Sequence, residues 1–195
     1  MHDLTFMILT GGKSSRFGSN KSEINFAGTT LLNRLLENLP PAEVIIVGPE
    51  VATSLQEITF VREEPIGGGP VAAIAAGVEK ATSEWVVVLA TDLPFASEIV
   101  PLLVNAMNQK IDGVIPIDQG GQRQILCALY TKSALKRALV AIGNPEGKSM
   151  KSLISQLNLR ELLIPSNTIG KLIDIDTPED LAKALEIQRQ EESEK

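Results

Sequence analysis

The chain has 195 residues, 44% hydrophobic and 22% charged, a balance that suits a globular protein with a core of its own. Its net charge, 18 − 24 = −6, lacks the basic excess of a nucleic-acid binder, and no apolar run nears the roughly 20 residues of a membrane helix. One cysteine, Cys127, and one histidine, His2 beside the chain end, exclude an internal disulfide and a Cys/His zinc site and argue against a Ser-His-Asp or Cys-His pair. Cys127 lies in the apolar run "ILCALY", where a buried thiol in a reducing compartment is expected. The start "MHDLTFMIL" is acidic and carries no cleavage site, so no signal peptide is expected.

In chain order, strands are expected at Leu4–Leu9, Glu43–Val47, Ile58–Val61, Trp85–Ala90, Asp112–Ile117, Gln124–Tyr130 and Leu159–Ile164. The first, second and fourth are apolar without alternation, as in strands covered on both faces. Between them, stripes at i, i+3, i+4, i+7 predict helices: Leu32/Leu35/Leu36/Leu39, Val100/Leu103/Val104/Met107, Leu135/Ala138/Leu139/Ile142 ended by Gly143, and Met150/Leu153/Ile154/Leu157 capped by Ser149. The last helix opens at "DTPEDL", with Thr177 as N-cap, Pro178 at the first helical position and Asp180 at the capping-box position. Strand–helix alternation predicts an α/β fold with a mainly parallel central sheet, one domain over residues 1–195, with the charged tail 186–195 fraying. In such sheets ligands sit beyond the carboxyl ends of the strands, here the loops after Leu9, Val47, Val61 and Ala90.

The stretch "FMILTGGKSSRFGSNK" has the make of a phosphate loop, yet three familiar patterns fail on spacing. A P-loop, G-x-x-x-x-G-K-S/T, would need a glycine where Met7 stands inside the strand. "GNPEGKS" is one residue short and follows a helix, and the dinucleotide pattern fails because Lys13 takes the second glycine's place. Gly11 and Gly12 still allow backbone N–H groups to approach phosphates, and Arg16 and Lys21 place two cations nearby.

"LTGGKSSRFGSNK" resembles the signature L-A/T-G-G-x-S-x-R-M-G-x-x-K of the molybdenum-cofactor guanylyltransferase family. "EEPIGGGPVAAIAAGV" resembles its D-x-x-x-G-x-G-P-L-A-G-I, "VVLATDLPF" its strand ending in an Asp-x-Pro-Phe motif, "QILCALY" its Q-P-L-x-A-L-Y, "GKSMKSLI" its G-x-x-S-x-x-x-L-L, and "IDIDTPEDL" its N-I-N-T-P-E-D-L. The likeness covers about residues 4–185 in order. It implies a three-layer Rossmann-like nucleotidyltransferase fold and a cytoplasmic enzyme that transfers GMP from GTP to the phosphate of molybdopterin, with Mg²⁺ as cofactor. It also implies transient contact with molybdoenzymes or their chaperones, and neither nucleic acid nor membrane as partner. Carried over by motif, Leu9, Thr10, Gly11, Gly12, Lys21, Glu63, Gly68, Gly69 and Asp92 hold the nucleotide, with Gly48 added from the loop after the second strand; Arg16, Lys21 and Asp92 are catalytic; Asp92 and Asp176 bind the metal, with Asp174 the alternative second ligand.

An anionic phosphate attacking an α-phosphate needs no general base, which suits a chain with one histidine near its end. Departures from the family pattern are Thr10 for alanine, Phe17 for methionine, Glu63 for aspartate, Ala73 for glycine, and Asp174 and Asp176 for asparagines. "DIDTPEDL" leans toward molybdopterin cytidylyltransferases, whereas "GGGPVAAI" and "LCALY" lean toward the guanylyl branch. Transfer to a sugar phosphate and a non-catalytic nucleotide-binding regulator are the remaining alternatives.

Overall fold

Six residues with no polar side chain but Thr5, Leu4–Leu9, form β1, and all six are buried. The computed structural model describes residues 3–10, 21–118, 120–166 and 168–193. In it β1 lies between two parallel neighbours, β4 (Glu43–Val47) and β6 (Trp85–Ala90), so that Phe6 faces Val44 on one side and Val87 on the other. A small separate ladder pairs β2 (Asn25–Phe26) with β3 (Thr29–Thr30) through Ala27 and Gly28, both at positive φ, as a tight hairpin turn requires.

Outside β4 runs β5 (Thr59–Val61), again parallel. Beyond β6 the direction reverses. β8 (Cys127–Thr131) is antiparallel to β6 and to β7 (Gly113–Ile117), and β9 (Leu159–Leu163) closes the sheet parallel to β7. The strand order is β5-β4-β1-β6-β8-β7-β9, a mostly parallel seven-stranded sheet.

Side chains of a strand alternate between faces, and each face of this sheet has its own helices. Phe6 and Ile8 pack with Leu32, Leu35 and Leu36 of α1 (Leu31–Glu37) and Leu103 of α3 (Val100–Asn105). Met7 and Leu9 pack with Val71 and Ile74 of α2 (Pro70–Lys80), Leu135 of α4 (Lys132–Ile142) and Leu153 of α5 (Met150–Ile154). Each fully buried leucine contributes about 1.5–3 kcal/mol by leaving water. A third cluster joins Ile24, Phe26, Leu31, Phe95 and Ile175 to Ala184 of α6 (Pro178–Ser193).

The predicted caps are in place: Ser149 opens α5, Gly143 closes α4 and Thr177 precedes α6. Several boundaries move. Residues 124–126 form a turn, with the Cys127 N–H on the Gln124 carbonyl, so β8 begins three residues after the expected start at Gln124. α1 ends at Glu37 and α3 at Asn105, leaving Leu39 and Met107 packed against the core from outside their helices. The tail, expected to fray from residue 186, is helix through Ser193. Tertiary partners hold it: Gln188 accepts from Arg34 Nη2 at 3.0 Å, and Glu191 is paired with Lys171.

Candidate nucleotide site

The chain runs outward from β1 through β4 to β5 and then returns to β6 on the other flank of β1. At such a reversal an open α/β sheet usually takes its ligand in a crevice beyond the carboxyl ends of the strands, here those of β1 and β6. Two buried threonines pin the strand ends there. Thr10 donates through its N–H and its hydroxyl to the Val47 carbonyl, at 3.1 and 3.2 Å. Thr91 does the same to the Leu9 carbonyl, at 3.2 and 2.8 Å. The Thr10 hydroxyl is thus turned toward the sheet.

Gly48 follows β4 and donates its N–H to the Val61 carbonyl at 2.9 Å. Its φ is +151°, and an added Cβ would come within 2.0 Å of Thr10 Oγ1. Only a glycine lets this backbone approach Thr10 so closely.

The second glycine loop is shaped from both sides. Glu63, 9% exposed, accepts the Gly67 N–H through Oε1 at 3.0 Å. Its carboxylate thus braces the loop backbone through one of its two oxygens. Gly68 donates to the Pro65 carbonyl and has room for no Cβ, which would lie 2.9 Å from both that oxygen and the Ala72 methyl. Gly69, at φ +92°, caps α2 with Pro70 at its first turn. The Gly68 carbonyl accepts from the N–H of Gly147 at 2.8 Å. "GNPEGKS", rejected above as a P-loop, thus meets the glycine loop through a contact that local spacing does not report.

Asp92 is half-buried just past β6, and its backbone carbonyl accepts the Ile175 N–H at 2.9 Å. Ile175 is fully buried while Asp174 and Asp176 are exposed, so the two aspartates lie on the side away from the core. One main-chain bond therefore draws the segment bearing Asp174 and Asp176 onto the end of the strand bearing Asp92. Directly after it, Thr177 and Asp180 form a reciprocal cap. Asp180 Oδ2 accepts from the Thr177 N–H at 3.0 Å and its hydroxyl at 2.7 Å, while the Asp180 N–H donates back to Thr177 Oγ1 at 3.2 Å. The Thr177 hydroxyl is the main reason the Asp180 carboxyl lies below its ordinary pKa.

Gly11, Gly12 and Arg16 lie outside the described residues, and Lys21 opens a short 3-10 turn, Lys21–Glu23, just beyond them. Among the described residues no group of three or more His, Cys, Asp or Glu side chains forms a metal cage. A Mg²⁺ ion carried with nucleotide phosphates needs only one or two carboxylates from the protein. Asp92 with Asp176 fits that number and that hard-oxygen chemistry. Cys127 is no nucleophile, because full burial pushes its thiol up to about 12.

A mostly parallel sheet with glycine loops and carboxylates at its switch point defines an α/β nucleotide-binding fold of the transferase kind. The chain belongs to the MobA-like NTP transferase domain family, whose model matches residues 6–161. It is 28% identical over 190 residues to a probable molybdenum cofactor guanylyltransferase of Bacillus cereus, covering 91% of this chain and 94% of that one. Among solved structures it resembles the molybdopterin-guanine dinucleotide biosynthesis protein A of Archaeoglobus fulgidus, with a TM-score of 0.74, 24% identity, and 95% and 99% of the two chains covered. It also resembles the 2-C-methyl-D-erythritol 4-phosphate cytidylyltransferase of Thermus thermophilus, with a TM-score of 0.69, 18% identity, and 97% and 100% covered. Both likenesses report the fold.

Proposed function

We propose that this nucleotidyltransferase moves GMP from GTP to the terminal phosphate of molybdopterin, or of its molybdenum form, releasing pyrophosphate, and that it does so in the cytoplasm. The observation that carries the reading is the bond from the Ile175 N–H to the Asp92 carbonyl, which brings two carboxylate-bearing segments to the mouth of the β1–β6 crevice. The names of the Bacillus and Archaeoglobus relatives support the acceptor and the base. No described helix is long and apolar enough to cross a membrane.

In this reading an acceptor phosphate oxygen, already anionic at neutral pH, forms a bond to the α-phosphorus of GTP as the α–β bridging bond breaks. The electron pair leaves with pyrophosphate, and no proton has to move. The glycine backbones at 11, 12 and 67–69 cradle phosphate and nucleoside, and Arg16 and Lys21 balance charge on the leaving group. Asp92 and Asp176 would hold Mg²⁺, which when bound neutralises phosphate charge and fixes its alignment.

A second reading, CMP transfer, is favoured by one feature: Asp174 and Asp176 in "DIDTPEDL". Pyrophosphate release with molybdopterin and each common nucleoside triphosphate separates the two. The expected result is release that needs both GTP and acceptor. A clear preference for CTP would sink the guanylyl reading, and nucleotide binding without turnover under several acceptors would favour a regulator.

A further inference from the structure

Behind the crevice, Phe95 is fully buried three residues after Asp92. The edge of Phe26 meets its ring at 5.7 Å, and two cations approach it: Lys171 Nζ at 5.0 Å and Arg34 Cζ at 5.4 Å from the centroid. Both cations also share one carboxylate. Glu98 takes Lys171 at 3.0 Å and Arg34 at 3.3 Å, and the Lys171 side chain is only 12% exposed. A half-buried ion pair is weak evidence for stability, because desolvation offsets much of its Coulomb gain. Its place in the chain is more telling. Glu98 lies six residues after Asp92, and Lys171 lies three before Asp174 and five before Asp176.

We propose that Lys171 and Glu98 are positioning residues, a brace that fixes the distance between the segments carrying Asp92 and Asp176. The inference rests on the metal reading of those two aspartates given above. The main-chain bond between Asp92 and Ile175 and the packing of Leu172 and Ile175 against Leu93, Ala96 and Phe95 hold the two segments together, but apolar packing sets their spacing less sharply than a directional polar tie. The Lys171–Glu98 pair, seated against the Phe95 ring, supplies that tie.

The sign of one measurement tests this. The probe is Mn²⁺ binding to the whole protein with GTP present and no acceptor, read by electron paramagnetic resonance, with a parallel arm in CTP. Removing a nearby positive charge would by itself tighten binding of a cation. A lost brace does the opposite, since groups that orient metal ligands from behind are worth about 10–100-fold in affinity. Lys171→Met should therefore weaken Mn²⁺ binding about tenfold, and Lys171→Arg should restore it. Glu98→Asp keeps every charge but draws the carboxylate back by one methylene, and should weaken binding similarly; it also stands in should Lys171→Met fail to fold. Unchanged or tighter binding in Lys171→Met, or unchanged binding in Glu98→Asp, overturns the brace. If Asp92→Asn abolishes binding in the same series, the functional reading survives that result. If the unaltered protein binds no Mn²⁺ with either nucleotide, both fall.

Discussion

The hydroxyl of Thr91 donates to the carbonyl of Leu9 at 2.8 Å, tying together two strand ends that are 82 positions apart in sequence. Both residues are buried, so the bond forms where water cannot replace it. Thr91→Val keeps the shape and removes the donor. The expected loss is about 1 kcal/mol, read as a lower urea midpoint with an unchanged slope. An unchanged midpoint would show that the Thr91 N–H alone suffices to hold Leu9.

Gly48, just past β4, has no room for a side chain. Gly48→Ala puts a Cβ against Thr10 Oγ1 and strains a positive φ, so the backbone after β4 must move. The expected outcome is a fall in stability of about 1–3 kcal/mol with weakened nucleotide binding. The double variant with Thr10→Ala should recover part of the stability, and calorimetry of both variants checks it.

Asp92→Asn should cut turnover by at least about 100-fold with little change in folding, the scale of losing one preorganised charge contact. Asp176→Asn should be mild, since asparagine is what the resembling family carries there, while Asp176→Ala should be severe if this side chain holds the metal. Pyrophosphate release across a Mg²⁺ series, with circular dichroism for folding, decides. Near-normal turnover of Asp92→Asn at low Mg²⁺ would leave Asp92 as a turn residue.

The Thr177–Asp180 cap predicts an acid-labile contribution. Asp180 has a lower pKa folded than unfolded, chiefly through the Thr177 hydroxyl. Its stabilisation is therefore complete above the unfolded value of about 3.9 and is lost as pH falls through the folded one. Thermal unfolding between about pH 6 and pH 3 should drop more steeply for the unaltered protein than for Asp180→Asn. Parallel curves would remove Asp180 as the source.

Cys127 should not react with a thiol reagent at neutral pH in the native state, because burial pushes its thiol up to about 12. Adding denaturant should release one reactive thiol per chain. Fast native labelling would mean that β8 opens locally at its start.

The sheet was readable from sequence because its central strands are continuous apolar runs, a pattern that states burial on both faces without reference to anything distant. Strand ends were less readable. Gln124–Leu126 has strand composition and still bonds across to Pro116 and Ala90, yet the Gln124 carbonyl accepts the Cys127 N–H and turns the chain there. The glycines, Asp92 and Asp176 came from motif likeness. Thr91, Gly147, Lys171 and Glu98 were missed because the pairings used above, to Leu9, Gly68, Glu98 and Arg34, span 64 or more positions, and a local pattern cannot report a pairing at that range. A hydroxyl just before the strand-end aspartate was the one available hint, and it pointed to Thr91. The tail misled for the same reason. Its charges look solvated in sequence, and in space Gln188 and Glu191 meet Arg34 and Lys171.

The bond between Asp92 and Ile175 also sets an order in time. Asp92 leaves the ribosome 83 residues before Ile175, which at about 5–20 residues per second is a delay of several seconds. During that interval β1, β4 and β6 and both glycine-rich loops exist, but the segment bearing Asp176 does not. Under the proposed reading, a chain that stops between Leu163 and Ile175 carries all the sheet strands and lacks both this bond and the Asp176 carboxylate.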